Sequence, residues 1–166
     1  MLATGTMDTK GLFWGSNAVT YGVKVFGMEN WWGNQWRRYA GHIVVSGVEK
    51  VKLNYSTNDG STATAYNTDG TGYPATGVTA HTGTNGGYCS EMRFSEYGMT
   101  PVAASGTSST YYCDGLWFND SATTYASRGG SCADGVFVGA FCCSLDYAAS
   151  VADWGIGAAV SCKPLA

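Results

Sequence analysis

The stretch GMENWWGNQWRRYAGH, residues 27–42, sets Trp31, Trp32 and Trp36 beside Arg37 and Arg38. Whether it is helix or strand decides the fold class. Trp32, Trp36 and Tyr39 or Ala40 recur at the spacing of one helical face. Asn30 can cap the start, and Gly41 can end the segment. This pattern predicts an amphipathic helix over 28–40, docked by its aromatic face. A tryptophan platform for a ligand is the alternative for the same residues.

Downstream the period changes. HIVVSG and VEKVKLNYS read as two short strands around Gly47. Residues 56–87 are dense in Thr, Gly, Asn and Asp, with turn signals at Asp59-Gly60 and Asp69-Gly70, so a long surface excursion is expected there. Short strands are predicted at 88–94, 110–118 and 123–127. The tail adds two apolar runs, VFVGAFCCSL and WGIGAAVSC, separated by DYAASVAD as a short helix or loop. Strand follows helix without a βαβ rhythm, which predicts an α+β fold with antiparallel sheet. With 166 residues, no fixed-period repeat and no linker, residues 1–166 are expected to form one domain. The N-terminus has no basic region leading into an apolar core, and it reads as a domain cut from a longer chain.

Composition narrows the function classes. The net charge is −3 and the basic residues are scattered, so there is no dense Lys/Arg face and nucleic acid is not expected as a partner. No apolar run is long enough to span a bilayer, so no membrane insertion is expected. The six cysteines are Cys89, Cys113, Cys132, Cys142, Cys143 and Cys162. No CxxC spacing occurs, Cys142 and Cys143 would point to opposite faces of a strand, and the only histidines are His42 and His81. Free thiols, no metal site and no cofactor are the expectation. Both histidines are expected to be structural or solvated. No GxSxG frames a serine, and neither GxGxxG nor GxxxxGK[ST] is present. Glu91 and Glu96 would form a general acid/base pair only if the fold brought them together. By elimination a binding module outranks an enzyme.

Several fragments then point to a family. GNQW, residues 33–36, is similar to the Gly-Asn-x-Trp element of the formylglycine-generating-enzyme type of C-type lectin fold. RGGS, residues 128–131, resembles that family's Arg-Gly-Gly-Ser/Asn element, and GIGAAVS, residues 155–161, its closing strand. More closely, KVFGMENWWGNQWRR, TYYCDGLWFND and the 128–163 segment together resemble diversity-generating-retroelement variable proteins of phages and gut bacteria. The likeness covers most of the chain and is weakest between 56 and 87. It implies a C-type lectin fold with short antiparallel sheets and one or two helices. WFND, residues 117–120, resembles the Trp-Asn-Asp calcium signature of animal C-type lectins, but Phe118 interrupts it and the sugar-binding triplet is missing.

In such proteins a reverse transcriptase misreads template adenines, so codons of the form AAC or AAT are scattered. Every amino acid except Glu, Gln, Lys, Met and Trp then becomes reachable. From Gly129 to Cys162 there is no Glu, Gln, Lys or Met, and Trp154 is the only tryptophan. The resemblance therefore implies a variable region at 128–162. Its framework would be Gly130, Gly135, Gly139, Leu145, Trp154, Ile156 and Gly157. The varied, ligand-binding positions would be Ala133, Asp134, Phe137, Ser144, Asp146, Tyr147, Val151, Asp153 and Gly155. Cys132 and Cys143 fit less clearly, because relatives often carry a tryptophan or leucine there.

Alternation supports the division. In a strand through 140–146, Phe141, Cys143 and Leu145 point one way, toward a core. Ala140, Cys142, Ser144 and Asp146 point the other way, as a small and mixed surface. Phe137 and Tyr147 would supply contact area, and Asp134, Asp146 and Asp153 would supply acceptors, which favours a neutral or basic ligand. Equally, Phe137 could be core and the aspartates turn or cap residues. The expected function is a non-catalytic receptor-binding domain on a phage tail or bacterial cell surface. Its partner would be a bacterial surface protein or glycan, and a homo-oligomer built through a preceding region stays open. The rivals are a formylglycine-generating-type oxidase, whose copper is bound by a cysteine pair, and a calcium-dependent sugar-binding lectin.

Overall fold

The computed structural model describes residues 5–15, 22–52 and 66–157. Asp59-Gly60, Cys162 and the end of the GIGAAVS element lie outside the described residues. Within them the regular structure is short strands joined by turns and irregular connections, and the only helical element is a 3-10 turn at Gly135–Phe137. The helix expected over 28–40 is therefore corrected. Asn30 and Gly33 take left-handed backbone angles, φ +56° and +80°, which break a right-handed helix at two places. In its place stand β1 (Lys24–Val25) and β2 (Met28–Glu29), then a bent connection, then β3 (Trp36–Val45). The aromatic spacing met the helical template, but pairing of β3 along both edges decided its conformation.

The remaining strands are β4 (Val48–Val51), β5 (Thr82–Gly83), β6 (Gly87–Tyr88), β7 (Glu91–Ser95), β8 (Gly98–Ala104), β9 (Gly115–Phe118), β10 (Thr123–Arg128), β11 (Cys143–Tyr147) and β12 (Ile156–Gly157). The main sheet runs β12-β3-β10-β11-β9-β6, with β4 also on β3; a second sheet runs β5-β8-β7. Pairing is mixed, since β11–β9, β12–β3 and β5–β8 are parallel. β3 and β4 form the hairpin expected around Gly47, turning at Ser46 and Gly47 with φ +48° and +81°.

The core lies between the sheets. Val44, Cys89, Met92, Ala104, Leu116, Ala126, Cys143 and Leu145 form it, with Phe118 and Phe141 packed against it. Full burial of Leu116 and Leu145 stabilises by roughly 1.5–3 kcal/mol each. Beside the core, Glu49 is completely buried, with His42 Nε2 at 2.6 Å and the Thr76 hydroxyl at 3.1 Å. Burial holds His42 below its ordinary value, so the neutral ring donates to Glu49. Burial alone would push Glu49 up, but the His42 hydrogen bond, the Thr100 hydroxyl and nearby positive charge together outweigh it and keep the carboxylate ionised. The described end of the 56–87 stretch is not a free excursion. Glu49 donates its N–H to the Val78 carbonyl, Thr76 donates back to Glu49, and Tyr73, Thr76, Val78 and His81 are buried. Among the described residues no helix is long and apolar enough to cross a membrane.

Candidate functional site

Two irregular pairings shape the C-terminal part of the main sheet. Between Tyr125 and Ser127, β10 advances two residues while β11 advances three, from Tyr147 to Ser144. On its other edge, β3 advances five, from Ile43 to Arg38. Such bulges bend a strand and redirect its last side chains. Up to the bulge, β11 follows the expected alternation, with Cys143 and Leu145 in the core. The opposite face is not a free surface as expected. Cys142 is wholly buried and Ser144 is 1% exposed. Beyond the bulge, Asp146 is half-buried and Tyr147 exposed.

Segments 129–141 and 148–155 flank this face, and each is pinned. Gly129 and Gly130 have φ +92° and +73°, and a Cβ on Gly130 would come within 2.6 Å of Val138. No other residue fits there without strain. Asp114, two residues before the core residue Leu116, accepts the Phe141 N–H at 2.7 Å, and a Cβ on Gly139 would strike its carboxylate at 2.1 Å. Burial pushes the Asp114 carboxyl up, against the pull of the amides it caps.

The expected binding residues divide into groups. Ala133 is exposed at a turn. Asp134 Oδ2 accepts the Ser131 N–H at 2.6 Å and the Ser131 hydroxyl at 2.8 Å, and so closes that turn. Phe137 is half-buried, stacked on Tyr88 at 4.4 Å and edge-on to Trp117 at 5.7 Å; Trp117 in turn meets buried Trp36. Ser144 hydrogen-bonds to Asp146. Val151 is half-buried, Asp153 is exposed with Oδ1 on the Gly155 N–H at 2.7 Å, and Gly155 is buried. Of the expected framework, Leu145 is buried, whereas the Trp154 side chain is 59% exposed.

Asp146, Asp153 and Asp134 lie near enough to Tyr147 for their charges to act on its hydroxyl. Burial first, then the charges of Asp146, Asp153 and Asp134, push the Tyr147 hydroxyl above its ordinary value. Gly155 adjoins this group, since a Cβ there would lie 3.7 Å from Ser131, the residue Asp134 holds. The result is an acidic strip that includes Tyr147, with the exposed Trp154 next to Asp153 in sequence. Phe137 stands apart from it in the aromatic stack.

Sequence reasoning missed the residues that carry this strip. Arg38 Nη2 donates to the Ala148 carbonyl at 3.1 Å and the Val151 carbonyl at 2.8 Å. Gln35 Nε2 donates to the Trp154 carbonyl at 2.8 Å, and the Trp36 N–H to the Gly155 carbonyl at 2.7 Å. The Thr124 hydroxyl donates to the Leu145 carbonyl at 2.6 Å. Arg37, on the other face of β3, holds Asn30 and Trp31 by their carbonyls. The arginine pair was the visible signal, but the loop each would serve was not.

Several described groups that could support other chemistry are buried or hydrogen-bonded. Cys142 and Cys143 are buried; burial pushes the Cys143 thiol up to about 12 and Cys142 up as well. Metal binding and nucleophilic attack need the thiolate, which these sites disfavour. In the WFND stretch, Asn119 Oδ1 accepts from Ser121, while Asp120 accepts from the His81 backbone N–H at 2.6 Å and lies 2.7 Å from His81 Nδ1. Phe118 stacks on that ring. Glu91 opens β7 and Glu96 follows its last residue, both exposed. A shallow groove of about 610 Å³ lies instead on the N-terminal hairpin, lined by Trp14, Val23, Val25 and Trp32 among others, and includes none of the strip. Comparison of the chain with protein-family models, with curated proteins and with solved structures returns no match.

Proposed function

We propose that this chain is a non-catalytic recognition domain. It is a hypervariable binding module of the C-type lectin fold, of the kind diversified by a retroelement, on a phage tail or a bacterial cell surface. Its partner is a bacterial surface protein or glycan. The observation that carries this reading is the strip formed by Asp134, Asp146, Tyr147, Asp153 and Trp154, all in the segment that lacks Glu, Gln, Lys and Met. Tyr147 and Trp154 offer broad contact area at low rotamer cost, and the aspartates offer acceptors to a neutral or basic ligand. Backbone already fixed before binding lowers the ordering cost of association. The oxidase and calcium-lectin alternatives lose support because the cysteine pair is buried and the WFND oxygens are already engaged.

The test is the DNA around the gene. This reading expects a reverse-transcriptase gene nearby and a near-copy of codons 128–162 whose mismatches fall at template adenines. A near-copy whose mismatches are spread over all four bases, or a locus with neither element, overturns it.

A further inference from the structure

We infer that residues 33–38, GNQWRR, act as a main-chain clamp, with Arg38 as its chief positioning residue. The clamp holds the C-terminal segment in place whatever side chains that segment carries. The purpose rests on the function proposed above; the geometry does not.

The hydrogen bonds between the clamp and the segment share one property. Gly33 N–H donates to the Gly129 carbonyl, Cys132 N–H donates to the Asn34 carbonyl, and Trp36 N–H donates to the Gly155 carbonyl. The Gln35 amide reaches the Trp154 carbonyl, and the Arg38 guanidinium bridges the carbonyls of Ala148 and Val151. Each ends on a main-chain atom of the later segment. Asp114, just before β9, and Thr124 of β10 add the same kind of contact, to Phe141 N–H and the Leu145 carbonyl. Conversely, the side-chain hydrogen bonds of Ser131, Asp134, Ser144, Asp146 and Asp153 stay within the segment itself.

A main-chain carbonyl is present whatever the residue, so replacing a side chain at 146–153 leaves these acceptors where they were. A charged donor to such a carbonyl is stronger than a neutral one, which singles out Arg38. Its place on β3 is set by antiparallel pairing with Ser127, two residues after buried Trp36, and not by the segment it holds.

Amide hydrogen exchange tests the clamp without any ligand, so its outcome is independent of what the domain recognises. Arg38→Met keeps the apolar stem and removes the donors. Exchange at 148–155 should rise about tenfold, equivalent to about 1.4 kcal/mol of local opening, with β8 unchanged. Gln35→Ala, at a half-buried position, should raise exchange around 154–156 less and serves if Arg38→Met fails to fold. The combined variant Asp146→Ser, Tyr147→Ser, Val151→Ala, which leaves the Asp153–Gly155 hydrogen bond intact, should keep 148–155 within about threefold of the parent chain. The inference is overturned if the combined variant loosens the loop as much as Arg38→Met, or if neither clamp variant loosens it.

Discussion

Phe137 and Tyr147 lie ten residues apart in one segment, and both are aromatic residues of the kind a binding surface uses. Their surroundings differ. Phe137 is the middle of a stack that runs from Tyr88 through Trp117 to buried Trp36. Tyr147 ends β11 past the bulge, still paired with Tyr125, and its side chain stands exposed within reach of three aspartate charges. One ring therefore joins the sheet to its covering segment, while the other is presented to solvent. Composition treats them alike; the register of β11 against β10 separates them.

The contrast can be broken first at its buried end. Leu145 is fully buried, and Leu145→Ala should cost about 3 kcal/mol in denaturant unfolding, near the middle of the range for such truncations. A loss below about 1 kcal/mol would mean that β11 does not face the core. Phe137→Ala should cost about 2 kcal/mol, less because the ring is only half-buried. If it cost no more than a surface substitution, Phe137 would belong with Tyr147.

The frame also has a pH signature. Burial keeps folded His42 neutral, so only the unfolded chain takes up a proton there as pH falls below about 6.5. Stability should therefore drop as pH falls from about 7.5 to about 5.5. His42→Gln should flatten that part of the profile. An identical slope in both chains would mean that the buried pair takes no part. The smallest effects belong to the strip. Tyr147→Ala and Trp154→Ala should each change stability by no more than about 0.5 kcal/mol, as surface substitutions do.

Much of the frame was legible in the sequence. The apolar run of β3 with Gly47, the strand expected at 123–127 and the core-facing set Phe141, Cys143 and Leu145 all follow from period-2 patterning and turn residues. The predicted helix failed because an aromatic spacing of four is also met by a bent chain with left-handed turns at Asn30 and Gly33. The free second face of β11 failed because alternation tells which way Cys142 and Ser144 point, but not that other segments cover them. At the site, the acidic and aromatic residues were visible as residue types. Their grouping was not, because it depends on two bulges and on Arg38, more than a hundred residues away from Ala148 and Val151 in sequence. Pairings such as His81 with Asp120 are likewise non-local and leave no periodic trace.

Whether the strip is exchangeable while the frame is not can be measured in one protease-resistance selection on two libraries. One diversifies Ala133, Asp146, Tyr147, Val151 and Asp153; the other diversifies Phe137, Cys143, Ser144 and Leu145. Most members of the first library should survive at protease levels that remove nearly all of the second. Equal survival of the two would contradict a rigid frame that presents a replaceable surface.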